Sequence, residues 1–209
     1  MKLVIFPGGG SPDNDHYRKV YELLAERAIA YGYTDVDILR WPGHADASGR
    51  DPGSCLTLDG ALEIANEKLD QLESTGRPYR ILGRSFGTIV AALVTTTLGL
   101  PSLQNLTLWG PPPHWLGWKL CLRELGTMKE RFNDKGTYMD ESYFHSLVPF
   151  ESMLTEVSTP TVIATGTEDP YSPPSFLAYL MSLAVGNPMI SFRPPVSGAC
   201  HEVTIESGD

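Results

Sequence analysis

Apolar residues along the chain follow two spacings, short continuous runs and longer stretches at three- and four-residue intervals, and their alternation predicts the architecture. "KLVIF" at 2–6 is a short apolar run ending at "PGGG", the composition of a buried strand that meets a turn. Tyr17, Val20, Tyr21, Leu24 and Ala28 then follow at helical spacing until Gly32 stops the run. "DVDIL" at 35–39 predicts a second strand. After the loop "RWPGHADASGRDPGS", Leu58, Ala61, Leu62, Ala65, Leu69 and Leu72 share one face of a predicted helix, and "YRILG" predicts a third strand. From Phe86 to about Leu98 the chain is apolar nearly all round, as a helix buried against a sheet requires. "LTLW", "TVIATG" and "MISFR" predict three more strands, with a helix over "SFLAYLMSLAVG" before the last. "ESYFHSLVPFESML" at 141–154 predicts a further helix packed on the sheet. Strands separated by helices need crossover connections, which give a mostly parallel sheet flanked by helices, with ligands at the carboxyl ends of the strands.

Composition bounds this picture. A chain of 209 residues, 42% hydrophobic, holds one α/β domain spanning 1–209 with a sizeable core. The stretch 111–137 departs from the alternation and predicts a small cap or lid inserted on that core. A net charge of −9 without a Lys/Arg cluster excludes nucleic acid and an anionic membrane surface as main partners, because both repel an acidic protein. "MKLVIF" is too short for a signal peptide and Phe86–Leu100 too short for a membrane span, so a cytoplasmic location is expected. Three cysteines, Cys55, Cys121 and Cys200, lack metal-ligand spacing and make a disulfide framework unexpected. Composition leaves the oligomeric state open.

The chemistry centres on "ILGRSFGTIVAALV" at 81–94. Gly83-Arg84-Ser85-Phe86-Gly87 lies between a predicted strand and a predicted helix, where small residues allow a sharp turn that lifts the serine above the sheet at a helix N-terminus. A structural serine in a turn has the same sequence, so partners decide. A hydroxyl needs a base to take its proton and a carboxylate to orient that base. "TVIATGTEDP" runs from a strand into Glu168 and Asp169, and "VSGACHEV" places His201 after the last strand. The order Ser85, Asp169, His201 puts each residue just past a strand on the same sheet edge.

These residues, with "LVIFPGGG", "LRWPGHADAS" and "STPTVIATGTEDP", make the chain resemble the α/β-hydrolase fold serine hydrolases over most of its length. The resemblance implies a minimal version of that fold: the chain starts at the strand bearing the glycine loop, and eight residues follow His201 where relatives have a final helix. It further implies that Ser85 is the nucleophile, His201 the base and Asp169 its orienting acid, with Glu168 facing solvent. By the same analogy the backbone N–H groups of Gly9 and Phe86 form an oxyanion hole, with Gly8 and Gly10 as alternatives to Gly9. His44, in the "PGH" turn, reads as structural. Arg84 reads as packing on neighbouring loops, the alternative being a contact to a substrate carboxylate. Cys200 reads as a small buried filler.

The implied activity is hydrolysis of a carboxylic ester or thioester of a small to medium acyl compound, with no metal and no organic cofactor. An acyltransferase and a non-catalytic ligand-binding relative are the alternatives. Three prolines followed by Trp115 and Trp118 in the predicted cap are hard to explain as core and predict an apolar wall for the acyl group.

Overall fold

The computed structural model describes residues 1–46, 54–114, 136–139, 143 and 147–201. Strand β1 (Lys2–Phe6) leads to helix α1 (Asp15–Ala30) and strand β2 (Asp35–Ile38); helix α2 (Leu58–Thr75), strand β3 (Tyr79–Arg84), helix α3 (Phe86–Thr97) and strand β4 (Leu103–Trp109) follow. A short 3-10 helix (Phe150–Met153), strand β5 (Thr161–Ala164), helix α4 (Pro174–Leu183) and strand β6 (Ile190–Phe192) complete the described elements. Helix α2 starts where its sequence signals it: the Thr57 side chain accepts the Gly60 N–H, and Gly76 closes the last turn in the left-handed region.

All strand pairs are parallel, in the order β2-β1-β3-β4-β5-β6. Strand alternation sends Val4 and Phe6 to one face and Leu3 and Ile5 to the other. Val4, Phe6, Ile81, Leu106, Leu108 and Ile163 build the larger core with α2, α3 and α4, while Leu3 and Ile5 pack with Tyr17, Tyr21 and Ala28 of α1. The chain leaves β1 for β2 on one side and returns to β3 on the other. That reversal opens a crevice at the strand ends between β1 and β3, the place where open parallel sheets bind ligands. Phe6 pairs with Gly83, so the glycine loop after β1 runs beside Arg84 and Ser85.

The helix expected over 141–154 is not one helix. Leu147–Pro149 has no regular structure, and the 3-10 helix begins only after Pro149, whose ψ of 118° and missing N–H interrupt a continuous helix there. Phe150, Met153 and Leu154 are nevertheless buried in the larger core, where the 3-10 helix packs beside α3. Among the described residues no helix is long and apolar enough to cross a membrane. Most of the segment expected as a cap, including Trp115 and Trp118, lies outside the described residues.

Candidate active site

Ser85 sits at the β3–α3 junction with φ 51° and ψ −122°, and among the described residues it is the one non-glycine with positive φ. Such a conformation costs on the order of 1–3 kcal/mol and persists only where packing imposes it. Here Gly87 imposes it: a Cβ at that position would stand 2.1 Å from the Phe6 carbonyl oxygen and 2.5 Å from that of Pro7, so only glycine lets α3 begin this close to β1. The Ser85 carbonyl is held by the Thr88 N–H at 2.8 Å and the Thr88 hydroxyl at 2.6 Å. Ser85 itself is half-buried, just past the end of β3 and beside Gly8 of the glycine loop.

His201 Nε2 lies 2.7 Å from Ser85 Oγ, and Nδ1 lies 2.9 Å and 3.0 Å from the two oxygens of Asp169. The Asp169 side chain is fully buried, and its Oδ1 accepts the N–H groups of Tyr171 at 2.9 Å and Ser172 at 2.8 Å. Burial alone would raise its pKa; the hydrogen bonds from His201, Ser172 and Tyr171, with the attraction of the imidazole, outweigh that and hold the carboxyl below its ordinary value. A carboxylate can only accept, so the network assigns the proton on neutral His201 to Nδ1 and leaves the Nε2 lone pair for the Ser85 hydroxyl. Close approach is needed here as well. A Cβ on Gly110, the residue after β4, would stand 3.0 Å from Asp169 Oδ2 and 3.2 Å from His201 Nδ1. The Tyr171 ring packs 5.0 Å from the imidazole and limits its rotation. Glu168 is exposed and the sequence order of the three residues becomes a contiguous chain of hydrogen bonds.

In the glycine loop the three candidates separate. The Gly8 N–H donates to the Tyr21 hydroxyl at 3.0 Å, which occupies it. Gly10 is buried with the Tyr17 ring against the space a side chain would fill. Gly9 is the partly exposed member. Phe86 opens α3, where first-turn N–H groups have no intrahelical acceptor, and its ring is fixed by Trp41 and Tyr143 at 6.3 Å and 5.3 Å.

His44 is buried behind this loop. Its Nδ1 accepts the Trp41 N–H at 3.2 Å, and Nε2 is buried without a hydrogen-bond partner among the described residues. Burial pushes its pKa down to about 3 from 6.5. Between those values the unfolded chain binds a proton that the folded chain does not, so stability is full above about pH 6.5 and falls as the pH drops towards 3. The slope from this group reaches about 1.4 kcal/mol per pH unit. Urea unfolding of wild type and His44→Asn across this range should show the shallower dependence in the variant; equal slopes would contradict a buried neutral His44.

Cys200 is half-buried rather than the buried filler expected, because it lies on the short loop that carries His201 to the edge of the crevice. Tyr21, Gly110 and Tyr171 were not singled out by the sequence: Tyr21 fits the core-facing pattern of α1, and neither of the others belongs to a motif. Among the described residues no group of three or more His, Cys, Asp or Glu is arranged to hold a metal ion.

No family model matches the sequence, and no curated protein matches it significantly. Solved structures do. A bromoperoxidase from Bacillus anthracis superposes with a TM-score of 0.68 at 15% identity, covering 96% of this chain and 84% of that one. A monoacylglycerol lipase from Paleococcus ferrophilus gives 0.64 at 17% identity over 96% of this chain and 85% of its own. An α/β hydrolase enzyme from the metagenome of lagoon sediments at Mar Chica, Morocco, gives 0.59 at 21% identity over 97% and 82%. Parallel sheet, strand order and these likenesses agree: the chain has the α/β-hydrolase fold, in a small form.

Proposed function

We propose that the protein is a serine hydrolase that cleaves a carboxylic ester or thioester of a small to medium acyl substrate through an acyl-enzyme on Ser85. The observation that carries this reading is the 2.7 Å contact between Ser85 Oγ and His201 Nε2, backed by the buried Asp169 carboxylate on Nδ1. His201 takes the serine proton as Oγ attacks the acyl carbonyl, and Asp169 stabilises the imidazolium that forms. The N–H groups of Phe86 and Gly9 receive the oxyanion; a single donor of this kind is typically worth about 3–4 kcal/mol in the transition state. Collapse expels the alcohol or thiol, which takes the proton back from His201. Water then enters, His201 deprotonates it as its oxygen attacks the acyl carbon, and collapse breaks the bond to Oγ, which takes the proton back from His201 as the acid product leaves.

The engaged Gly8 N–H supports Gly9 as the loop donor. Burial of Arg84 at 4% exposure removes it from the crevice and supports its reading as a packed residue rather than a substrate contact. Three prolines followed by Trp115 and Trp118 support an apolar acyl pocket walled by these two tryptophans. A panel of esters and thioesters of increasing acyl length, with product analysis, tests the reading. Hydrolysis is expected to improve beyond acetyl, by roughly 1 kcal/mol per added methylene contact, and Trp115→Ala or Trp118→Ala to shift that preference. Preference for acetyl, or unshifted selectivity in both variants, would contradict the pocket; acyl transfer to an added alcohol in place of hydrolysis would reassign the reaction.

A further inference from the structure

Arg84, directly before the nucleophile, is a buried cation packed over two rings of α1: its guanidinium carbon lies 5.6 Å from the Tyr17 centroid and 5.8 Å from that of Tyr21. A planar guanidinium stacks on such rings while keeping its edge for hydrogen bonds, which an ammonium cannot do. That edge reaches the loop of His201 and the helix α1. Nη2 donates to the backbone carbonyl of His201 at 2.9 Å, across 117 positions of sequence, and Nη1 donates to the Tyr21 hydroxyl at 3.5 Å. The same hydroxyl oxygen accepts the Gly8 N–H at 3.0 Å, and the other end of that peptide unit, the Pro7 carbonyl, accepts the Trp41 indole N–H at 3.0 Å. A peptide unit is planar, so contacts at both ends fix how the glycine loop passes Ser85. The pass is close: a Cβ on Gly8 would stand 3.2 Å from Ser85 Cβ.

One side chain therefore ties the backbone that carries the histidine to the loop beside the serine. We propose that Arg84 is a positioning residue that sets the spacing of His201, Ser85 and the glycine loop through the His201 carbonyl and the Tyr21 hydroxyl, without touching substrate. The role rests on the serine-hydrolase reading. Its size follows from geometry, since a misplacement of about 1 Å in a reacting constellation can cost about 100-fold in rate.

The test compares Arg84→Met, Arg84→Lys, Tyr21→Phe and the Arg84→Met/Tyr21→Phe double variant, using kcat and KM for an activated ester. Active sites are counted by fluorophosphonate labelling, and thermal unfolding is followed in parallel. Arg84→Met is expected to lower kcat per labelled serine roughly 10- to 100-fold with KM within about threefold. Arg84→Lys, which keeps the charge and one donor arm, should fall between it and wild type. Tyr21→Phe loses only a hydroxyl and should lower kcat roughly 3- to 10-fold, and the double variant should lose less than the product of the single losses, because both cut one chain of contacts. A residue that only supports the fold would lower the melting temperature and the labelled fraction but leave kcat per labelled serine unchanged. That result in Arg84→Met, or multiplicative losses in the double variant, overturns the proposal; if Arg84→Met does not fold, an unchanged kcat in Tyr21→Phe overturns it. Absence of labelling in wild type removes the hydrolase reading and this role with it, whereas normal labelling with unchanged kcat removes the role alone.

Discussion

Replacing Ser85 with alanine is expected to lower turnover of an activated ester by about 10⁴- to 10⁶-fold while leaving the fold in place. The loss is large because the chemistry has no substitute for the missing oxygen: His201 Nε2 is 2.7 Å from Oγ and would face only a methyl group. The fold survives because the elbow is imposed by the packing of Gly87 on β1 and by the two Thr88 contacts to the Ser85 carbonyl, none of which uses the hydroxyl. Alanine carries the same Cβ at φ 51°, so the local strain is retained and the melting temperature should move little. Steady-state kinetics and thermal unfolding of the purified variant check both halves. Turnover near that of wild type would place the chemistry elsewhere.

Asp169→Asn is expected to cost about 10⁴-fold in turnover, and Glu168→Gln less than about twofold. The hydrogen bonds around the carboxylate give the reason. Oδ1 accepts the backbone N–H groups of Tyr171 and Ser172, so an asparagine must turn its carbonyl oxygen to them and its NH₂ towards His201 Nδ1. Nδ1 then has to accept, the ring proton moves to Nε2, and the imidazole presents a donor to Ser85 where a base is required. Glu168 is exposed and has no such position. Kinetics of the two variants decide, and the reverse ranking would transfer the orienting role to Glu168.

The strands and helices were legible because their apolar residues face one core, and the period of a pattern is set by the local backbone. The Ser85 turn was legible for a related reason, since a strand, two glycines spaced around a serine and an apolar helix jointly dictate one backbone path. Asp169 and His201 could be named because each follows a strand and parallel strands end on one edge. The helix expected over 141–154 failed because its apolar periodicity continues through Pro149 while the backbone does not. Contacts between distant residues were not legible at all. The Arg84 bond to the His201 carbonyl, the double use of the Tyr21 hydroxyl, and the need for glycine at 110 depend on loops brought together by the fold, and no local pattern in the sequence encodes them.

Whether Ser85 is an activated nucleophile is tested most directly by treating the native protein with a fluorophosphonate probe and locating the adduct by peptide mass spectrometry. Activation requires the imidazole to remove the hydroxyl proton, which an ordinary surface serine lacks. A single adduct on Ser85, formed in wild type, absent in Ser85→Ala and slowed strongly in Asp169→Asn, is the predicted result; an unlabelled wild-type protein, or an adduct on a different residue, would contradict it.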